Sequence, residues 1–239
     1  MTAWLKKILV GVAVAVAPMA ASASTITATF DQGASRYGTA QMSLNSGGSY
    51  QTVGAGMLAF DLVTTNFPGL TSSIIYSWCV EPTEYVSSPA TLYDIGALSM
   101  GNTAGGGMGT TRANLINELF ARFQPVLPTY STLQKAQAIQ LAIWEIVKET
   151  SGTYNVSTGS ARFIGYDNTV VPLAQSYINA ITSAGGPHLS NLFAFYKVGK
   201  QDQVFQVANY HPPVPEPAAL GLLGLGVLGV GLARRRRRA

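Results

Sequence analysis

Cys79 is the one cysteine among 239 residues, so no internal disulfide can form and its thiol needs another explanation. Residue type alone leaves three readings. A free cysteine can be a small buried apolar residue, it can join a second chain through an intermolecular disulfide, or its thiolate can act as a nucleophile. Cysteine-protease chemistry requires a histidine base, and the chain holds His188 and His211 alone. His188 follows the surface-turn sequence Gly185-Gly186-Pro187, and His211 lies in a proline-rich stretch, so neither is placed to activate a thiol. Glu81, Glu84, Asp94 and Asp167 lack the spacing of a metal site or a glycosidase pair. Gly105 to Thr111 lacks the lysine that a nucleotide-binding loop sets ahead of its threonine, and reads as a flexible loop near the site. No metal, cofactor or turnover centre is expected.

The second reactive candidate is Gln140. In a helix expected from about Ser131 to Glu149, Leu133, Ala136, Ile143, Trp144 and Val147 form one apolar stripe, and Gln140 sits inside it. Burying a carboxamide without partners costs about 1–3 kcal/mol. Gln140 is therefore either satisfied by the backbone of a neighbouring strand or engaged in chemistry.

The elements that would position these residues change character along the chain. From Thr25 to Val80 short period-two runs rich in β-formers (25–30, 40–44, 57–63 and 73–80) alternate with turn clusters such as Asn45 to Ser49. A helix capped by Thr110 or Thr111 runs to Phe123, where Pro125 and Pro128 stop it, and a third helix spans Pro172 to Ile181. Runs at 192–198 and 203–207 make a closing hairpin around Gly199-Lys200-Gln201-Asp202. The expected class is α+β: an antiparallel β-sandwich or open barrel, in one domain over 24–210, carrying a helical insert over about 110–183.

Together, the two candidate segments resemble the thioester domains of bacterial surface adhesins. Trp78-Cys79-Val80-Glu81 matches that family's cysteine motif, and Ile139-Gln140-Leu141-Ala142-Ile143-Trp144 matches its glutamine motif, in the same order. The resemblance implies an intramolecular thioester: the Cys79 thiolate attacks the Gln140 side-chain carbonyl and ammonia leaves. An amine or hydroxyl on a surface or matrix target would then displace Cys79, once and without turnover, which implies adhesion rather than enzymatic activity. Trp78 and Trp144 would wall the site against water, and Glu81 or Tyr76 would assist proton transfer. The better-known members belong to Gram-positive cell walls. The rival reading is a non-covalent structural or binding protein of an exopolysaccharide matrix, with Cys79 and Gln140 simply packed.

Both ends read as signals. Lys6 and Lys7, an apolar run from Ile8 to Ala17 and the small residues Ala21-Ser22-Ala23 make a signal peptide over 1–23, too short to span about 30 Å of hydrocarbon. The stretch 211–217 is a stiff linker ending in Pro215-Glu216-Pro217. It precedes an apolar segment over Ala218 to Ala233 and a stop-transfer cluster, Arg234, Arg235, Arg236, Arg237 and Arg238. This tail is similar to the PEP-CTERM sorting signals of Gram-negative bacteria, in which the Pro-Glu-Pro triplet is read by an exosortase. The resemblance implies passage through the secretion machinery, a transient membrane helix over 218–239, and delivery to the cell surface or to an extracellular, biofilm-forming matrix. Seven of the fifteen basic residues and one of the eleven acids lie in these end segments, leaving eight against ten in the body. The basic pI belongs to the signals, and nucleic-acid binding loses its electrostatic basis.

Overall fold

The computed structural model describes residues 23–44, 48–86, 88–125, 132–165, 167–181, 186–208 and 210. Residues 1–22 of the expected signal peptide, His211, the Pro-Glu-Pro triplet, the apolar tail and the arginine cluster lie outside the described residues. Among the described residues no helix is long and apolar enough to cross a membrane.

The first half supplies β1 (Ser24–Ser43), β2 (Gln51–Thr65), β3 (Ile74–Cys79) and β4 (Thr91–Ala97). Helices α1 (Gly109–Phe123) and α2 (Leu133–Lys148) follow, then β5 (Arg162–Gly165), α3 (Val170–Ile181), β6 (Leu192–Tyr196) and β7 (Gln203–Gln206). All described pairings are antiparallel, in the order β2-β3-β7-β6-β4-β1-β5, and β1 also pairs with β2. Six strands thereby close into a ring, with β5 joined to the far end of β1. Closure removes the free sheet edges that an open layout would leave. Aromatic side chains fill the ring: Phe195 meets Phe60, Tyr93 and Phe205 edge-on at 5.2, 5.1 and 5.5 Å between ring centres.

The runs expected at 25–30 and 40–44 are one long strand. Between Asp31 and Arg36 the ladder slips: Asp31 accepts hydrogen bonds from the Gly33 and Ala34 amides at 2.8 and 3.1 Å, and the Ser35 hydroxyl accepts one from the Ala59 amide at 2.9 Å. The extra residues are thus held by side chains while β1 continues beyond them. That extension of β1 and β2, with β5, forms a platform for the helices and a second core.

Helix α2 is the centre of that core. Every residue from Ala136 to Val147 is buried, so the helix lacks the single apolar face expected of it, and Leu133, expected on that face, is exposed. Other corrections are local. Helix α1 begins at Gly109 with Met108 at its cap and no capping side chain, so neither Thr110 nor Thr111 caps it. Strands β4 and β5 had no counterpart among the expected elements, whereas α2, α3 and the β6–β7 hairpin fall within about two residues of expectation.

Candidate functional site

Cys79 is the last residue of β3, where that strand pairs with Gln203 of β7. Alternation along β3 buries Ile75 and Ser77 and then, at the strand's end, Trp78, Cys79 and Val80 together. Gln140 lies midway along α2, whose packing against β3 brings the two residues together across 61 positions of sequence. The Cys79 amide donates to Gln140 Oε1 at 3.0 Å, and Gln140 Nε2 donates to the Cys79 carbonyl at 2.7 Å. Both residues are at most 2% exposed. A two-point contact of this kind fixes the plane of the carboxamide beside the cysteine and pairs the Cys79 backbone where the β2–β3 register has ended at Trp78.

The sulfur accepts a hydrogen bond from the Glu81 amide at 3.3 Å. Burial pushes the thiol up to about 12; the Trp144 indole N–H and the Glu81 amide pull it back, and the charges of Glu81 and Asp202 push it further. At neutral pH the thiol keeps its proton, and chemistry at sulfur needs a base.

Trp78 and Trp144 are each 1% exposed; Trp78 precedes Cys79 on β3, and the Trp144 indole approaches the thiol. Trp78 packs edge-on to Phe120 of α1 at 5.5 Å, and Trp144 stacks on Phe163 of β5 at 6.2 Å. Trp144 also forms part of a cavity of about 280 Å³ lined by Met42, Val53, Pro82, Glu84 and Tyr85. The same side chain therefore bounds the sulfur's surroundings on one side and a solvent-connected cavity on the other.

Of the two residues expected to assist proton transfer, Glu81 lies in the site and is fully buried. Its carboxyl is pushed up to about 7, by burial first and by the neighbouring Asp202 second. Tyr76 is half-buried and lines a different cavity, of about 260 Å³, with Ile74, Trp78 and Gln206. His188 is exposed whereas Cys79 is buried. The segment leading into the glycine-rich loop reaches the site through one short 3-10 turn, Thr103–Gly105: the Ala104 amide donates to Glu81 at 2.6 Å and the Thr103 amide to Asp202 at 2.7 Å.

Two site residues escaped sequence reasoning. Asp202 reads as part of a hairpin turn, and Lys148 carries no reading beyond its place near the end of α2. Asp202 is fully buried, and Lys148 donates to Asn102 Oδ1 at 3.2 Å with its ammonium held below its ordinary pKa by burial. The available signal was spacing: Lys148 stands one helical turn beyond Trp144 and two beyond Gln140. Among the described residues no cluster of histidine, cysteine and carboxylate side chains is built to hold a metal.

Comparison with curated proteins finds no match. Among solved structures, the pilus-presented adhesin Spy0125 (Cpa) is similar over 80% of this chain and 67% of its own, at 10% identity and a TM-score of 0.40. The N-terminal thioester domain of a surface protein from Clostridium perfringens is similar over 70% of this chain and 98% of its own, at 8% identity and a TM-score of 0.34. Residues 213–238 match the PEP-CTERM protein-sorting motif, so the chain carries a signal that implies export, membrane-anchored processing and an exosortase as its processing partner.

Proposed function

We propose that the exported domain closes an intramolecular thioester between Cys79 and Gln140 and uses it to attach covalently, once, to a nucleophile on a surface or matrix target. The observation that carries this reading is the docking of the Gln140 carboxamide on Cys79 in a buried core. Attack by sulfur on the Gln140 carbonyl carbon puts negative charge on Oε1, and Oε1 already accepts the Cys79 amide proton, a preorganised donor where charge develops. The nitrogen that would leave is held by the Cys79 carbonyl. Trp78 and Trp144 keep bulk water from the acyl carbon, and the cavity beside Trp144 offers the incoming nucleophile a path.

Intact-mass measurement of the full chain tests the reading. A closed thioester lowers the mass by roughly 17 Da, one ammonia, and methylamine converts that deficit into a gain of about 14 Da over the unmodified sequence. Cys79→Ala should abolish both changes. A native chain at its unmodified mass, indifferent to methylamine, would end the proposal.

One observation favours a second reading. The two Gln140 hydrogen bonds are also what a purely structural glutamine would make to a strand end, with Cys79 as a small core residue. The protein would then be a non-covalent matrix component, and the same mass measurement separates the two.

A further inference from the structure

Glu81 and Asp202 are both fully buried, take the consecutive amides of Ala104 and Thr103, and act on the Cys79 thiol through their charge. The donors around them are almost all backbone amides. Glu81 Oε1 takes the Ala104 amide at 2.6 Å, Asp202 Oδ2 the Thr103 amide at 2.7 Å, and Asp202 Oδ1 the Lys197 amide at 2.9 Å. Glu81 Oε2 makes no hydrogen bond of ordinary geometry among the described residues; what approaches the Glu81 carboxyl from Asp202 is its backbone amide and its carboxyl, a second acceptor. Two buried acceptors in contact are satisfied by one shared proton, since two like charges at that separation cannot both persist.

We propose that Glu81 and Asp202 form a one-proton carboxyl pair that relays the proton between the Cys79 sulfur and the nitrogen on the Gln140 carbonyl. This rests on the thioester reading. On closure the thiol proton passes to the pair and the pair's own proton goes to the departing nitrogen. The C–N bond breaks, the S–C bond forms, ammonia leaves, and the pair again holds one proton. On opening by an amine the flow reverses: the amine proton enters the pair, a proton returns to sulfur, the S–C bond breaks and an amide forms. No oxidant or other co-reactant is required.

A thiol held well above its ordinary range needs such a base, and a buried amide nitrogen leaves readily only when protonated. The pair is tied to the sulfur through the Glu81 amide and through mutual charge. The groups facing it are Cys79 from β3, Lys148 from α2 and Tyr196 from β6, with Arg112 of α1 facing Lys148 in turn. Lys148 supplies the nearby positive charge that keeps a singly charged pair tolerable in the core.

The test is the rate of methylamine uptake by the full chain against pH, normalised to free amine. A pair that must both take and give a proton works when it holds one and stops when it holds two or none, so the native profile should be bell-shaped around neutrality. Glu81→Gln keeps the Ala104 contact and removes the titration; it should slow uptake by roughly 100-fold and flatten the profile. Native-like rate and profile in Glu81→Gln would overturn the relay. Should Glu81→Gln fold without closing the thioester, the native profile decides: bell-shaped supports the pair, featureless overturns it. A native chain that never loses ammonia removes both the relay and the thioester; a native chain that does, with a flat profile, removes the relay alone.

Discussion

At the scale of single residues, Cys79 and Gln140 differ in what each gives the fold, and the difference can be measured. Cys79 offers its backbone to the carboxamide, so Cys79→Ala keeps both hydrogen bonds and loses one sulfur's worth of packing, about 1 kcal/mol. Gln140→Ala leaves a buried amide and a buried carbonyl unpaired at the end of β3 and should cost about 3 kcal/mol. Urea unfolding of both variants checks the asymmetry, and equal losses would mean that the strand end finds other partners. The sequence made Gln140 legible because a carboxamide among apolar neighbours is conspicuous. It left Asp202 and Lys148 hidden, because a turn aspartate and a terminal helix lysine are ordinary residues until a third element covers them.

At the scale of elements, the burial of α2 is broader than its apolar stripe. Helix α2 is buried on every side between Ala136 and Val147, so Gln140 faces the core as any residue there would, and its place in the apolar stripe is not what buries it. β5 is four residues long, and β4 alternates in burial but buries Thr91 and exposes Leu92, which blurs its apolar–polar pattern, so neither stood out. The continuity of β1 was hidden by its irregularity, whose cause lies in the partner strand. Gly56 of β2 has φ 149°, and a Cβ there would lie against the Arg36 carbonyl and within 2.6 Å of Tyr37 Cα. Only glycine lets β1 cross at that point. Gly56→Ala should therefore cost about 2–4 kcal/mol and lower the melting temperature by several degrees. A melting temperature within a degree of the native value would show that the slip in β1 adapts without it.

At the scale of the whole molecule, the body holds few charges and buries several of them, so its stability should depend on pH in an unusual direction. Glu81 and Glu145 are both fully buried with carboxyls raised from about 4.5 to about 7, in each case by burial first. The unfolded chain ionises them near 4.5 and the folded chain holds their protons until about 7. Across that window the native state binds more protons than the unfolded one, and stability falls as pH rises. Glu149 opposes this at the acid end: burial alone would raise it, but the Ser151, Ser160 and Thr150 amides outweigh burial and hold it at about 2. Its contribution is present above about 4.5 and is lost as pH falls toward 2. The two limbs place the maximum of thermal stability near pH 4–5, with a decline through neutrality, roughly on the mildly acidic side of most domains. Glu145→Gln keeps an acceptor for the Asn155 amide and removes one ionisation, so it should flatten the decline between pH 5 and about 7.5 without moving the acid limb. Scanning calorimetry across that range decides the matter, and a native melting temperature that rises from pH 5 to neutrality would show that the buried carboxyls are ionised in the folded protein after all.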